Sequence, residues 1–157
     1  MDKFTIREVL EQAVQTEKLG YQFYTAMAVR FKDNEKFVKL FGTLAEKELI
    51  HEKTYSDLRD MVGDDEPEGW EEISHYLRAI VESEFFIGKN KSLPSMEHIK
   101  TMNDAVNYAF EFEKETLLYF YGVRDAVSEK EMVDEIINEE KSHIMWLNAF
   151  KNALMNQ

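Results

Sequence analysis

Four long stretches of this chain each carry an apolar stripe at three- and four-residue steps, and each stripe is broken near its middle by a glutamate. The first runs Ile6, Val9, Ala13, Glu17, Gly20, Tyr24, Ala28, Phe31. The second runs Phe37, Leu40, Leu44, Glu48, His51, Tyr55, Leu58. The third is Val106, Ala109, Glu113, Leu117, Phe120, Val123, Val127, and the fourth is Val133, Ile136, Glu140, His143, Leu147, Phe150, Leu154. Such spacing gathers each stripe on one face of a helix. Helices that each hide one face bury them against one another, so the pattern predicts an all-α bundle. Only two prolines and six glycines occur in 157 residues, which leaves room for helices of this length.

Capping signals place the helix ends. Thr5 with Glu8, Thr101 with Asp104, and Ser128 with Glu131 each pair a hydroxyl with an acid three residues on, the capping-box arrangement or a close variant. Asp33 or Asn34 can cap a further helix. The predicted helices are Thr5–Phe31, Asn34–Met61, Thr101–Val127 and Ser128–Met155. Short joins inside the first and second pairs make each pair an antiparallel hairpin. The turn chemistry of GDDEPEG (63–69) and the loop KNKSLPS (89–95) bound a long connection between the hairpins. A bare loop that long is unusual in a compact domain. Ile73, Leu77, Ile80 and Val81 have helical spacing, so a short helix is expected within it. Two hairpins joined by one long crossover form the ferritin-like version of a four-helix bundle, here expected as a single domain over residues 1–157.

The charge is 19 − 31 = −12. That balance disfavours nucleic acid and anionic membranes as partners and is compatible with hard cations. The absence of cysteine excludes disulfides, zinc-thiolate and iron–sulfur sites, and thiol catalysis. The N-terminal MDKFTIREVL has no apolar signal core, and no run of about 18 apolar residues exists, so a cytoplasmic location is the expectation.

The interrupting acids carry the chemistry. Glu17 follows Thr5 by 12 residues, Glu48 follows Asn34 by 14, Glu113 follows Thr101 by 12, and Glu140 follows Ser128 by 12. In helices packed side by side, all four fall at one level. His51 and His143 follow Glu48 and Glu140 by three residues and share their faces. Four carboxylates buried together are very costly unless they take up protons or bind cations. Two divalent ions would balance four negative charges, and an oxygen-rich set with one imidazole per ion suits iron or manganese. Glu17, Glu48, His51, Glu113, Glu140 and His143 are therefore the candidate ligands of a dinuclear site.

Other polar residues read more plainly. Glu46, Glu52, Glu111, Glu115 and Glu139 fall beside the stripes, as a solvated face would, with Glu52 the one considered as support for a ligand. His75 and His98 read as surface residues, and Tyr24 as core packing, with a hydrogen bond to a ligand carboxylate or a redox tyrosine the alternatives. The two hairpins also resemble each other: EKLGYQFY (17–24) aligns with EKETLLYF (113–120), and EKELIHE (46–52) with NEEKSHI (138–144).

EKLGYQFY, AEKELIHEKTY, EFEKETLLYFY and NEEKSHIMWL together resemble the four helices of the rubrerythrin family, over nearly the whole chain. The resemblance implies a ferritin-like bundle, usually dimeric. It implies a non-haem di-iron centre held by Glu17, Glu48, His51, Glu113, Glu140 and His143, which reacts with peroxide or dioxygen. Two features depart from the family pattern. No cysteine-rich rubredoxin domain is present, so electrons are expected from an external donor such as a rubredoxin-like protein. Thr116 stands where the family tends to have a second glutamate that supports iron movement during peroxide reduction. The functional expectation is a di-iron oxidoreductase; the alternatives are an iron-storage protein or an interaction module with a structural metal.

Overall fold

The computed structural model describes residues 5–83 and 96–156. Its helices are α1 (Ile6–Arg30), α2 (Glu35–Met61), α3 (Trp70–Val81), α4 (Met102–Ala126) and α5 (Lys130–Met155). The expected loop KNKSLPS lies outside the described residues.

Three of the expected starts are built as the sequence implies. Thr5 and Glu8 exchange hydrogen bonds of 3.1 and 3.2 Å, closing a reciprocal capping box. Thr101 and Asp104 do the same at 3.1 Å each. Asn34 Oδ1 accepts from the Phe37 amide at 3.0 Å. The fourth differs: Ser128 does not cap α5, which begins at Lys130 after Glu129 and has no side-chain cap. Lys130 is used at the preceding helix end instead. Its ammonium donates to the carbonyls of Arg124 and Val127 at 2.7 and 3.1 Å. A cation there satisfies the orphan carbonyls that end α4.

The crossover contains the expected short helix. Gly69 precedes α3 with φ of 76°, a left-handed conformation that favours glycine. Leu77 of α3 is fully buried, and Tyr76 Oη donates to the Leu118 carbonyl at 2.6 Å, fastening α3 to α4.

Side-chain contacts set the helix directions. Tyr24 is seven residues after Glu17, and its ring meets that of Phe41, seven before Glu48, at 5.3 Å, so α1 and α2 are antiparallel. Tyr119 lies beyond Glu113 and donates to the carbonyl of Val9, which precedes Glu17, at 2.8 Å; α1 and α4 are therefore also antiparallel. Tyr55 and Phe120, each seven residues past a glutamate of the stripes, are 4.8 Å apart, so α2 and α4 run the same way. This is the ferritin-like arrangement.

The core has two apolar clusters. One contains Val9, Leu10, Ala13, Tyr55, Leu58, Tyr119, Phe120, Val133 and Ile136. The other contains Phe23, Tyr24, Phe37, Phe41, Leu44, Ala109, Phe112 and Leu147. Between the middles of these stripes lies a polar layer.

Candidate metal centre

Six side chains occupy that layer. Glu17, Glu48, His51, Glu113, Glu140 and His143 are each no more than 1% exposed. They come from the middles of α1, α2, α4 and α5, as the interrupted stripes require. Gly20 makes space for one of them: a Cβ there would lie 3.0 Å from Cδ of Glu48 and from Phe112.

The ligand atoms form two overlapping groups. Glu17, Glu48, His51 and Glu140 supply atoms that all lie within 4.8 Å of one another, and so do Glu48, Glu113, Glu140 and His143. Glu48 and Glu140 belong to both. Each group adds one private glutamate and one private histidine. The spacing of the stripes puts these six residues at one level, and the geometry adds which two are shared.

The donor set fits a metal. Both oxygens of Glu17, Glu48 and Glu140, Oε2 of Glu113, and Nδ1 of His51 and His143 are buried without a hydrogen-bond partner. Nδ1 of His51 approaches Glu140 at 3.1 Å and Glu17 at 3.7 Å. Nδ1 of His143 approaches Glu113 at 3.5 Å and Glu140 at 3.6 Å. Orphaned acceptors aimed at one another are costly in a dry core and are what a cation satisfies.

Without metal, protons carry the neutralisation. Burial raises Glu17 to about 7, with His51 opposing the rise. Burial also raises Glu113 well above the usual carboxylate range, and nearby Glu140 adds to it. Burial alone would raise Glu140 too, but Glu113 and the two histidines together hold it below its ordinary value. Burial disfavours the imidazolium of His51, yet Glu17 and Glu140 outweigh it and raise the group to about 11. Glu113 and Glu140 outweigh burial in the same way at His143, raising it to about 10.

Groups around the layer differ from the sequence reading at two places. Glu139, expected on a solvated face, accepts from Nε2 of His51 at 2.5 Å. Glu52 faces Lys18 at 3.9 Å at the surface, as its place on a solvated face implies, and the alternative of ligand support falls to Glu139 instead. The signal for Glu139 was its place beside Glu140 on the helix that packs across from His51. Tyr24 is core packing and more: its hydroxyl donates to Glu113 Oε1 at 2.5 Å. Glu46 and Glu111 are exposed, as are His75 and His98. Glu115 accepts from Ser83 at 3.2 Å, away from the cluster.

The comparisons with known proteins agree with this geometry. The sequence model of the family described as Rubrerythrin matches residues 8–154. The chain belongs to the rubrerythrin family. A solved structure from Thermotoga maritima, described as a ferritin-like diiron-carboxylate protein, superposes with a TM-score of 0.70 at 25% identity, covering 94% of this chain and 95% of that one. No curated protein matches the sequence. Rubrerythrin membership and the ferritin-like fold give the buried carboxylate–histidine cluster its setting. Among the described residues, no helix is long and apolar enough to cross a membrane.

Proposed function

We propose that this rubrerythrin-family chain is a di-iron oxidoreductase that reduces hydrogen peroxide or dioxygen with electrons from an external donor. The observation that carries the reading is the pair of overlapping ligand groups that share Glu48 and Glu140. Glu48 and Glu140 would be ligands common to two cations, with Glu17 and His51 completing one set and Glu113 and His143 the other. Iron at this site would supply one electron per ion, so a ferrous pair delivers the two that convert H2O2 and two protons to two waters.

The chain's own residues prepare the site. Tyr24 occupies Oε1 of Glu113 and leaves Oε2 without a partner. Glu139 accepts from Nε2 of His51, which holds the ring so that its Nδ1, once a cation displaces the proton there, would turn its lone pair to the carboxylates. The two apolar clusters on either side keep water from the layer. The 157 residues hold no cysteine for a rubredoxin-type centre, so this reading takes its electrons from a separate donor. A homodimer is the assembly we propose.

The test is anaerobic loading with ferrous ion, elemental analysis, and rapid mixing with peroxide or air-saturated buffer. Two irons per chain, with an absorbance change that follows oxidant addition stoichiometrically, support the reading. Tightly held metal that is indifferent to both oxidants would replace it with a structural role. A large shell-sized particle in solution would replace it with storage.

A further inference from the structure

The six-residue cluster does not account for every orphaned polar group in the core. The hydroxyls of Thr116 and Tyr55 are also buried without a hydrogen-bond partner, in residues 1% and 0% exposed. Thr116 departs from what four other helical hydroxyls of this chain do. Thr16, Thr43, Thr54 and Ser142 each turn back onto the carbonyl four residues earlier, at 2.8 to 3.3 Å. Helix geometry offers Thr116 the same bond to the Phe112 carbonyl, and its hydroxyl does not take it.

Both hydroxyls stand at one end of the carboxylate layer. Thr116 is three residues past Glu113 on α4, and Tyr55 is four past His51 on α2. The two helices run the same way. The ring of Tyr55 lies 4.8 Å from that of Phe120, which is one turn beyond Thr116 on the same face. Tyr55 is also near enough to Glu17 and Glu140 that, after burial itself, both raise its phenol further above the ordinary range.

The opposite end of the layer is different. There Tyr24 closes its hydroxyl onto Glu113, and aromatic rings fill the surroundings. The offset of 96 residues that maps Glu17 onto Glu113 (113 − 17) maps Gly20 onto Thr116 (116 − 20). At Gly20 there is no room for a side chain beside Glu48. At its counterpart the chain places a hydroxyl and leaves it unspent. Two free O–H donors at one end, in a dry setting without a fixed cation of their own, match a compact ligand with exposed oxygen or nitrogen lone pairs.

We propose that Thr116 and Tyr55 form the recognition site for the small oxidant, their hydroxyls donating hydrogen bonds to a peroxide-class ligand taken up beside the metals. This rests on the reading that the six-residue cluster holds two irons, and the experiment separates the two ideas. Ferric-loaded protein is titrated with azide, a compact anion, and the dissociation constant is read from absorbance. Wild type is compared with Thr116→Val, Thr116→Ser and Tyr55→Phe, with iron per chain measured on every sample.

Iron content is expected to be equal in all four proteins. Azide binding is expected to weaken about tenfold in Thr116→Val and in Tyr55→Phe, the scale of one lost hydrogen bond to a charged group, and to return to within twofold of wild type in Thr116→Ser. Full iron content with an unchanged azide constant in Thr116→Val and Tyr55→Phe would overturn the recognition site and leave the di-iron reading standing. Loss of iron from Thr116→Val would make Thr116 a metal ligand and overturn the proposal as well. Wild type without stoichiometric iron would defeat the di-iron reading itself, and the recognition site with it.

Discussion

Nε2 of His51 lies 2.5 Å from Oε2 of Glu139, whereas Nε2 of His143 is buried with no hydrogen-bond partner. The two halves of the site are therefore supported unequally. The residue that the likeness of the two hairpins places opposite Glu139 is Lys47 (139 − 47 = 140 − 48 = 92), and Lys47 reaches Glu139 at 3.8 Å. A carboxylate on the outer nitrogen of a ligand histidine fixes its ring and raises its basicity. Glu139→Ala is expected to weaken one of two metal-binding events by about ten- to a hundredfold and leave the other near its original affinity. Competition against a chelator of known affinity would show this as a wild-type curve splitting into two phases. A uniform loss at both sites would count against the asymmetry.

Gly20 and Gly122 are both buried on helices, and each should fail for a different reason. A Cβ at Gly20 would come within 3.0 Å of Glu48 Cδ, and Glu48 belongs to both ligand groups. Gly20→Ala is therefore expected to lower metal content at both positions, together with about 1–3 kcal/mol of stability. A Cβ at Gly122 would meet Leu77 at 2.5 Å and Tyr76 at 2.9 Å, in the contact between α3 and α4. Gly122→Ala is expected to cost a similar stability while leaving metal content unchanged. Parallel thermal melts and elemental analyses distinguish the two outcomes.

Much of this architecture is legible in the sequence because it repeats. Glu17, Glu48, Glu113 and Glu140 interrupt apolar stripes at matching heights, and a buried acid is conspicuous against Leu and Val. The bundle, its hairpins and the residues of the polar layer follow from that one periodicity. What sequence spacing does not carry is the contact between helices. Glu139 sits beside a stripe, where exposed and half-buried acids look alike, and only the packing of α5 on α2 brings it to His51. Tyr24 fits a core position by size and polarity, and its bond to Glu113 depends on how α1 lies against α4. Ser128 matches a capping pattern, but α5 starts two residues later at Lys130, whose ammonium is spent on the carbonyls that end α4.

Tyr24 donates the hydrogen bond that Glu113 Oε1 would otherwise lack in a fully buried position. Tyr24→Phe removes only the oxygen and keeps the ring in its contacts with Phe23 and Phe41. The expected cost is about 1–3 kcal/mol of stability, the penalty for leaving a buried polar group unpaired. The metal stoichiometry should be retained, because the other oxygen of Glu113 faces the cluster. Denaturant unfolding of metal-stripped protein measures the first, and elemental analysis of the loaded variant measures the second. Wild-type stability in Tyr24→Phe would show that the hydroxyl is not needed to hold Glu113.

Protons and metal compete for the same atoms, and the competition has a sign. His51 and His143 titrate at about 11 and about 10 in the fold, above the ordinary histidine value of about 6.5. A raised folded-state value contributes stability that is fully present below the unfolded value and is lost as pH climbs to the folded one. Glu17, raised to about 7, works in the same direction at lower pH, between the ordinary carboxylate range and neutrality. The depressed Glu140 works oppositely, and its contribution is lost only in acid. Metal-stripped protein is therefore expected to lose stability steadily between pH 7 and pH 10 through His51 and His143. Metal must displace these same protons, so its affinity should rise over that interval, with proton release on binding. Calorimetric titration of metal in buffers of different ionisation enthalpy counts the protons released. Thermal melts of stripped protein across the same pH range measure the stability change. A melting temperature that rises from pH 7 to pH 10 would mean that the two imidazoles are not held as cations in the metal-free core.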